Sequence, residues 1–143
     1  MKNKVLITVT RFILPFIIAF SFYIQINGSN APGGGFQAGV IMASAFMLYS
    51  IVFGYRSALT FMPFKALKIL AILGIMLYGG TGIACMIMGG EFLNYNMIRN
   101  NLTTGQMLGI SVIEWGVGLT VFATFSLGYY AFITRGGNEH NID

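Results

Sequence analysis

Residues 108–133 read LGISVIEWGVGLTVFATFSLGYYAFI. The run is apolar from end to end, with Glu114 as its single charged residue. It exceeds the roughly 20 residues that a helix needs to cross the hydrocarbon of a bilayer. Three similar runs lie upstream, at about 5–26, 36–53 and 66–88. Lipid admits only helices or closed barrels, because no water is present to satisfy an open backbone. A barrel needs about eight or more alternating segments of about ten residues each. The runs here are continuous and few, so the chain is predicted to be all-α.

Composition agrees. Of 143 residues, 56% are apolar and 8% charged, against about 25% charged in an average soluble domain. Eight basic and four acidic residues cannot clothe a globule of this size in water, which argues against a soluble enzyme. Disorder demands the opposite composition. The expectation is one membrane domain over residues 1–143, an integral membrane four-helix bundle. The net charge of +4 does not point to nucleic acid, since the basic residues sit between apolar runs rather than among aromatics on a polar face. Lys2, Lys4 and Arg11 ahead of the first run resemble a signal peptide. Pro32 directly follows the only small-x-small site, so the run is read as a retained span. Cys85 is read as packing.

Basic residues also predict orientation. Lys2, Lys4, Arg11, Arg56, Lys65, Lys68 and Arg135 fall on one side of a four-span chain, and Arg99 alone falls on the other. Both termini and the middle loop are therefore expected in the cytoplasm. Tyr49, Tyr55, Tyr95, Tyr129, Tyr130 and Trp115 lie near span ends and suit interfacial belts. The segment from Gly136 onward, which includes the only histidine, His140, reads as a frayed end.

Nineteen glycines bear on how the spans pack, because small residues mark contact faces between helices in lipid. Gly35, Gly39 and Ala43 recur every four residues in the second span. Gly116, Thr120, Thr124 and Gly128 do so in the fourth, and four-residue spacing puts each set on one face. Such stripes either close the chain's own bundle or leave a face for another protein. A further cluster, Gly79-Gly80-Thr81-Gly82, lies in the third span.

Two features could carry chemistry. Glu114 lies about 9 Å inside the predicted start of its span. A carboxylate there costs on the order of 2.5–3.5 kcal/mol on insertion scales, so it must be protonated, wetted or paired. It is either a station on a proton or cation path, or a carboxyl that pins helices together. The second feature is Asn30-Ala31-Pro32-Gly33-Gly34-Gly35-Phe36-Gln37-Ala38-Gly39, where an outer loop turns into the second span. Proline fixes one φ and the glycines open conformations closed to other residues. The stretch reads as a tight re-entry turn, with Phe36 and Gln37 as anchors, ending at a helix N-terminus that favours anions. No phosphate-binding loop or dinucleotide fingerprint is present. Nor is there a His/Cys/Asp/Glu set with metal-ligand spacing or a catalytic Ser-His-Asp or Cys-His set. No metal, cofactor or catalytic residue is expected.

The stretch from Gly28 to Gly39 resembles the signature of the B subunit of the multisubunit sodium/proton antiporters of the Mrp or Mnh type. Members read Gly-His-x-x-Pro-Gly-Gly-Gly-Phe-x-Gly-Gly ahead of a span. Glu114-Trp115-Gly116-Val117 resembles an acidic element in that family's last span. Ser29 stands where members often carry histidine and Ala38 where they often carry glycine, so no proton role passes to Ser29. The resemblance implies an accessory component of a bacterial inner-membrane complex that exchanges sodium for protons. Its partners would be other small and large membrane subunits. Pro32, Gly33, Gly34, Gly35 and Phe36 would be the residues the complex needs, with Glu114 beside the hydrophilic axis. Two alternatives stay open: a B-like component in the ion-translocating arm of a membrane-bound hydrogenase or related redox complex, and a stand-alone oligomeric scaffold or pore.

Overall fold

The computed structural model describes residues 4–28, 34–93 and 102–139, with side chains in the last segment described for 107–135. All regular structure among them is helical: α1 (Lys4–Asn27), α2 (Gly35–Phe53), α3 (Tyr55–Phe61), α4 (Phe64–Ile87) and α5 (Leu102–Glu139). Four stretches are long and apolar enough to cross a membrane, namely α1, α2, α4 and Met107–Arg135 of α5. Pro32, Gly33, Tyr95, Arg99 and His140, all singled out by the sequence, lie outside the described residues.

Three features differ from expectation. A short helix, α3, fills the basic middle loop. Gly54 separates it from α2 with φ +99° and ψ 148°, a conformation that essentially only glycine adopts. Gly54→Ala is therefore expected to cost about 1–3 kcal/mol, read as a lower melting temperature of the detergent-solubilised protein; an unchanged melt would count against strain at this break. Helix α5 starts six residues ahead of the apolar run, and it continues past Gly136 and Gly137 to Glu139 instead of fraying. At 1.5 Å per residue its 38 residues extend about 57 Å, well beyond the roughly 30 Å of hydrocarbon.

Third, the four spans do not close into a ring. The most extensive contact is α4 with α5, followed by α2 with α5 and α1 with α2, while α1 barely touches α5. The spatial order is thus α1, α2, α5, α4, with α1 and α4 at opposite edges. Ser21 Oγ, buried on α1, donates to the Ala38 carbonyl of α2 at 2.8 Å. Pro15 lies inside α1, where its ring removes one bond to the preceding turn.

The α2–α5 seam changes character along its length. Near the start of α2 it is made of glycine. Near α3 it is filled by the cluster of Phe46, Ala58, Leu67 and Tyr130. Tyr130 is fully buried, its ring lying 5.6 Å from Phe46 and 5.3 Å from Tyr55, both edge-on. Its hydroxyl donates to the Met62 carbonyl at 3.2 Å. Tyr130 therefore belongs to the core and not to an interfacial belt, because this carbonyl lets a phenol be buried without an orphaned hydroxyl. Cys85 is a buried free thiol.

Candidate functional site

Glu114 sits about seven residues, or roughly 10 Å, into the apolar part of α5, and it is half-buried. Among the described residues, Gly28, Gly34 and Gly35 lie against it. A Cβ added to Gly34 would lie 3.0 Å from Glu114 Oε1, and one added to Gly28 would lie 2.8 Å from Glu114 Cδ. A Cβ on Gly35 would collide with the Glu114 carbonyl oxygen and reach 3.0 Å from the Gly118 nitrogen. The end of α1, the start of α2 and the first third of α5 thus converge on one carboxylate. The space the carboxylate occupies borders residues without side chains.

The local backbone explains the electrostatics. Gly34 caps α2 in an extended conformation, and no side chain caps the helix. The first helical bond runs from the Ala38 N–H to the Gly34 carbonyl at 3.1 Å. The N–H groups of Gly35, Phe36 and Gln37 therefore precede the helical ladder, and this end of α2 carries partial positive charge. A carboxylate facing such an end gains about 0.3–1 kcal/mol, and up to about 2 kcal/mol when partly buried. The described basic side chains lie elsewhere. The Arg11 guanidinium, for instance, sits 5.7 Å over the Phe53 ring, at the far end of α2.

The remaining sequence-selected residues are distributed as follows. Gly34 and Gly35 of the glycine motif meet Glu114, and Gly39 meets Gly118 and Val121 one turn further on. Phe36 is exposed at 57%, and Gln37 is also exposed. On α5 the small-residue stripe divides. Gly116 and Thr120 pack against Gly74 of α4, with a Cβ on Gly116 reaching 2.8 Å from the Gly74 carbonyl. Thr120 Oγ1 donates to the Gly116 carbonyl at 2.8 Å. Thr124 is exposed, and a Cβ at Gly128 would meet nothing within 4 Å. The same holds at Gly79 and Gly80.

Sequence reading missed Gly74, Gly118, Gly28 as a contact to the carboxylate, and Gln25. The signal for Gly118 was its four-residue offset from Glu114, which puts both on one face. Gly74 is likewise eight residues before Gly82. Gln25 is 7% exposed, and its Oε1 packs on Gly118. No group of three or more His, Cys, Asp or Glu that could hold a metal ion occurs among the described residues.

Comparison with known proteins bears on what this cradle serves. Residues 5–127 match the family model described as a domain related to the MnhB subunit of Na+/H+ antiporter. The B subunit of the Na(+)/H(+) antiporter of Alkalihalophilus pseudofirmus is 35% identical over 136 residues, covering 87% of this chain and 94% of that protein. The corresponding Na(+)/H(+) antiporter B subunit of Bacillus subtilis is 28% identical over 133 residues, covering 86% of this chain and 92% of its own. With a family match over most of its length and a relative of this identity spanning nearly both proteins, the chain belongs to the MnhB family.

Proposed function

We propose that the chain is the B subunit of a multisubunit sodium/proton antiporter, a transporter component rather than an enzyme. It lies in a bacterial inner membrane with both termini and α3 on the cytoplasmic side. Support for the function comes from family membership over residues 5–127. The observation that carries the site is the meeting of two sequence elements about eighty residues apart. Gly34 and Gly35 of the proline–glycine motif enclose Glu114 of the last span. Support for the orientation comes from Lys and Arg, seven of which gather on one side.

One carboxylate does not make a path across about 30 Å of hydrocarbon. Glu114 works as one polar station, taking up a proton or a sodium ion close to the outer mouth. The large and small partner subunits supply the rest. Glu114 also lies beside the α2–α5 contact, since Gly35, next to the Gly34 that borders its carboxylate, packs on its backbone carbonyl.

The test is affinity purification of the tagged chain in gentle detergent, with identification of every co-purifying protein. Several other antiporter-type membrane subunits in fixed proportion are expected. Iron–sulfur or nickel–iron proteins alongside would move the chain to a redox-coupled complex. Recovery of the chain alone, as an oligomer that moves cations unaided, would overturn the accessory role.

A further inference from the structure

Gln25 stands one turn back from Gly28 on the same face of α1, and it meets α5 at Gly118, one turn on from Glu114. The two helices run antiparallel here, so one pair of contacts lies directly behind the other. Gly28 borders the Glu114 carboxylate, and the Gln25 amide oxygen borders Gly118. Gln25 is buried, and its Nε2 has no hydrogen-bond partner among the described residues. A buried carboxamide with an idle donor is costly, and a methionine would fill the same space without that cost. Packing alone therefore does not account for a glutamine at this position.

Helix geometry brings the idle amide within reach of the acid. A Cβ built on Gly118 meets Gln25 Oε1 and lies 3.3 Å from Gln25 Cδ. Cβ positions four residues apart on a helix are about 5–6 Å apart, so the amide head lies within about 9 Å of the Glu114 Cβ. A carboxylate turned toward Gly118 spans about 3.5 Å of that gap. The glutamine side chain, with rotamers of its own, closes the remainder to hydrogen-bond length, about 2.9 Å. In the described conformation the carboxylate is turned the other way, to Gly28 and Gly34, and Nε2 is enclosed. The oxygen and NH2 of a carboxamide have nearly the same shape. A half-turn about the last side-chain bond therefore brings the NH2 to the place of Oε1, at Gly118, on the face that carries Glu114. We propose, on the reading of Glu114 as an ion station, that Gln25 is its positioning residue: when the carboxylate turns toward Gly118, the Gln25 carboxamide donates to one oxygen and leaves the other for sodium. A carboxamide also suits the protonated acid, whose O–H donates to Oε1. One side chain thus serves both forms that an exchange of sodium for protons requires.

The test is sodium-dependent exchange by the intact complex in everted vesicles, with assembly read on blue-native gels. Gln25→Met keeps the volume and removes the amide. It should assemble normally and raise the sodium KM about tenfold, the loss expected for one hydrogen bond to a charged group. The kcat should stay within about twofold, since an interaction with the bound ion is lost and not one confined to the transition state. In the Glu114→Gln background the same change should alter nothing further, because the two residues act as one unit. Exchanging the pair, Gln25→Glu with Glu114→Gln, should restore part of the exchange that Glu114→Gln alone loses, because acid and amide still face each other. A merely structural glutamine predicts no such rescue. An assembled Gln25→Met complex with an unchanged sodium KM, while Glu114→Gln is impaired, overturns the positioning role and leaves Glu114 as the station. Equal losses from Gln25→Met with and without the Glu114 carboxylate overturn it as well. Normal exchange by Glu114→Gln removes both. If neither Gln25→Met nor the exchanged pair assembles, Gln25 serves the seam alone and the proposal fails.

Discussion

Gly35→Ala is expected to lower the amount of assembled complex at least tenfold, whereas Gly34→Ala should leave assembly within about twofold of the parent. The two glycines are adjacent, and the same methyl is added to each. What differs is the neighbour. At Gly35 the new carbon runs into the Glu114 carbonyl and lies 2.8 Å from that carbonyl carbon. All these atoms are backbone and cannot swing aside, so α2 and α5 must separate. At Gly34 the nearest atom is Glu114 Oε1, at 3.0 Å, the end of a side chain with rotamers to spare. Overpacking a rigid contact costs about 1–3 kcal/mol and sometimes more, and in lipid little hydrophobic drive compensates between helices. Blue-native gels and quantitative blotting of membranes measure the outcome. If both variants assemble normally, the glycine seam does not hold α2 against α5.

Glu114→Gln is the second large effect. The amide keeps the volume, so the cradle of Gly28 and Gly34 still accommodates it and assembly should be normal. The charge is lost, and with it the attraction between a carboxylate and the positive end of α2. Sodium-driven proton movement in everted vesicles is expected to fall at least tenfold at every pH tested, because the station can no longer take up or release a proton or hold a cation. Glu114→Asp should recover part of that loss. Normal exchange by the Gln variant in a correctly assembled complex would show that Glu114 only fastens helices.

Much of the fold was legible because the bilayer simplifies the problem. Length and continuous hydropathy identify spans, since an unsatisfied backbone is intolerable in hydrocarbon. α3 escaped because its seven residues, Tyr55 to Phe61, are too few for periodicity to register. Its position follows instead from Gly54 and from the Tyr130 hydroxyl reaching Met62. The extension of α5 beyond the apolar run escaped because polar residues outside the membrane give no hydropathy signal.

The site was half legible. Glu114 drew attention as the lone acid in an apolar run, and the proline–glycine stretch drew attention through its backbone requirements. Their meeting was not legible, because nothing in either segment states which helix it faces. Gly118 and Gly74 were hidden for a related reason. A four-residue stripe shows that residues share a face, but a helix wedged between two others has two working faces. On α5, Gly118 meets α2 while Gly116 meets α4.

The uneven seam between α2 and α5 has a mechanical consequence. It is pinched where Gly35, Gly39 and Gly118 meet and padded by rings where Phe46 stands 6.1 Å from Phe122. With the pinched end as a pivot, the 19 residues of α2 would form a lever arm of about 28 Å. A tilt of about 4° at the glycines would swing the aromatic end by about 2 Å. Displacements beside Glu114 would thereby register, enlarged, at the far end of α2.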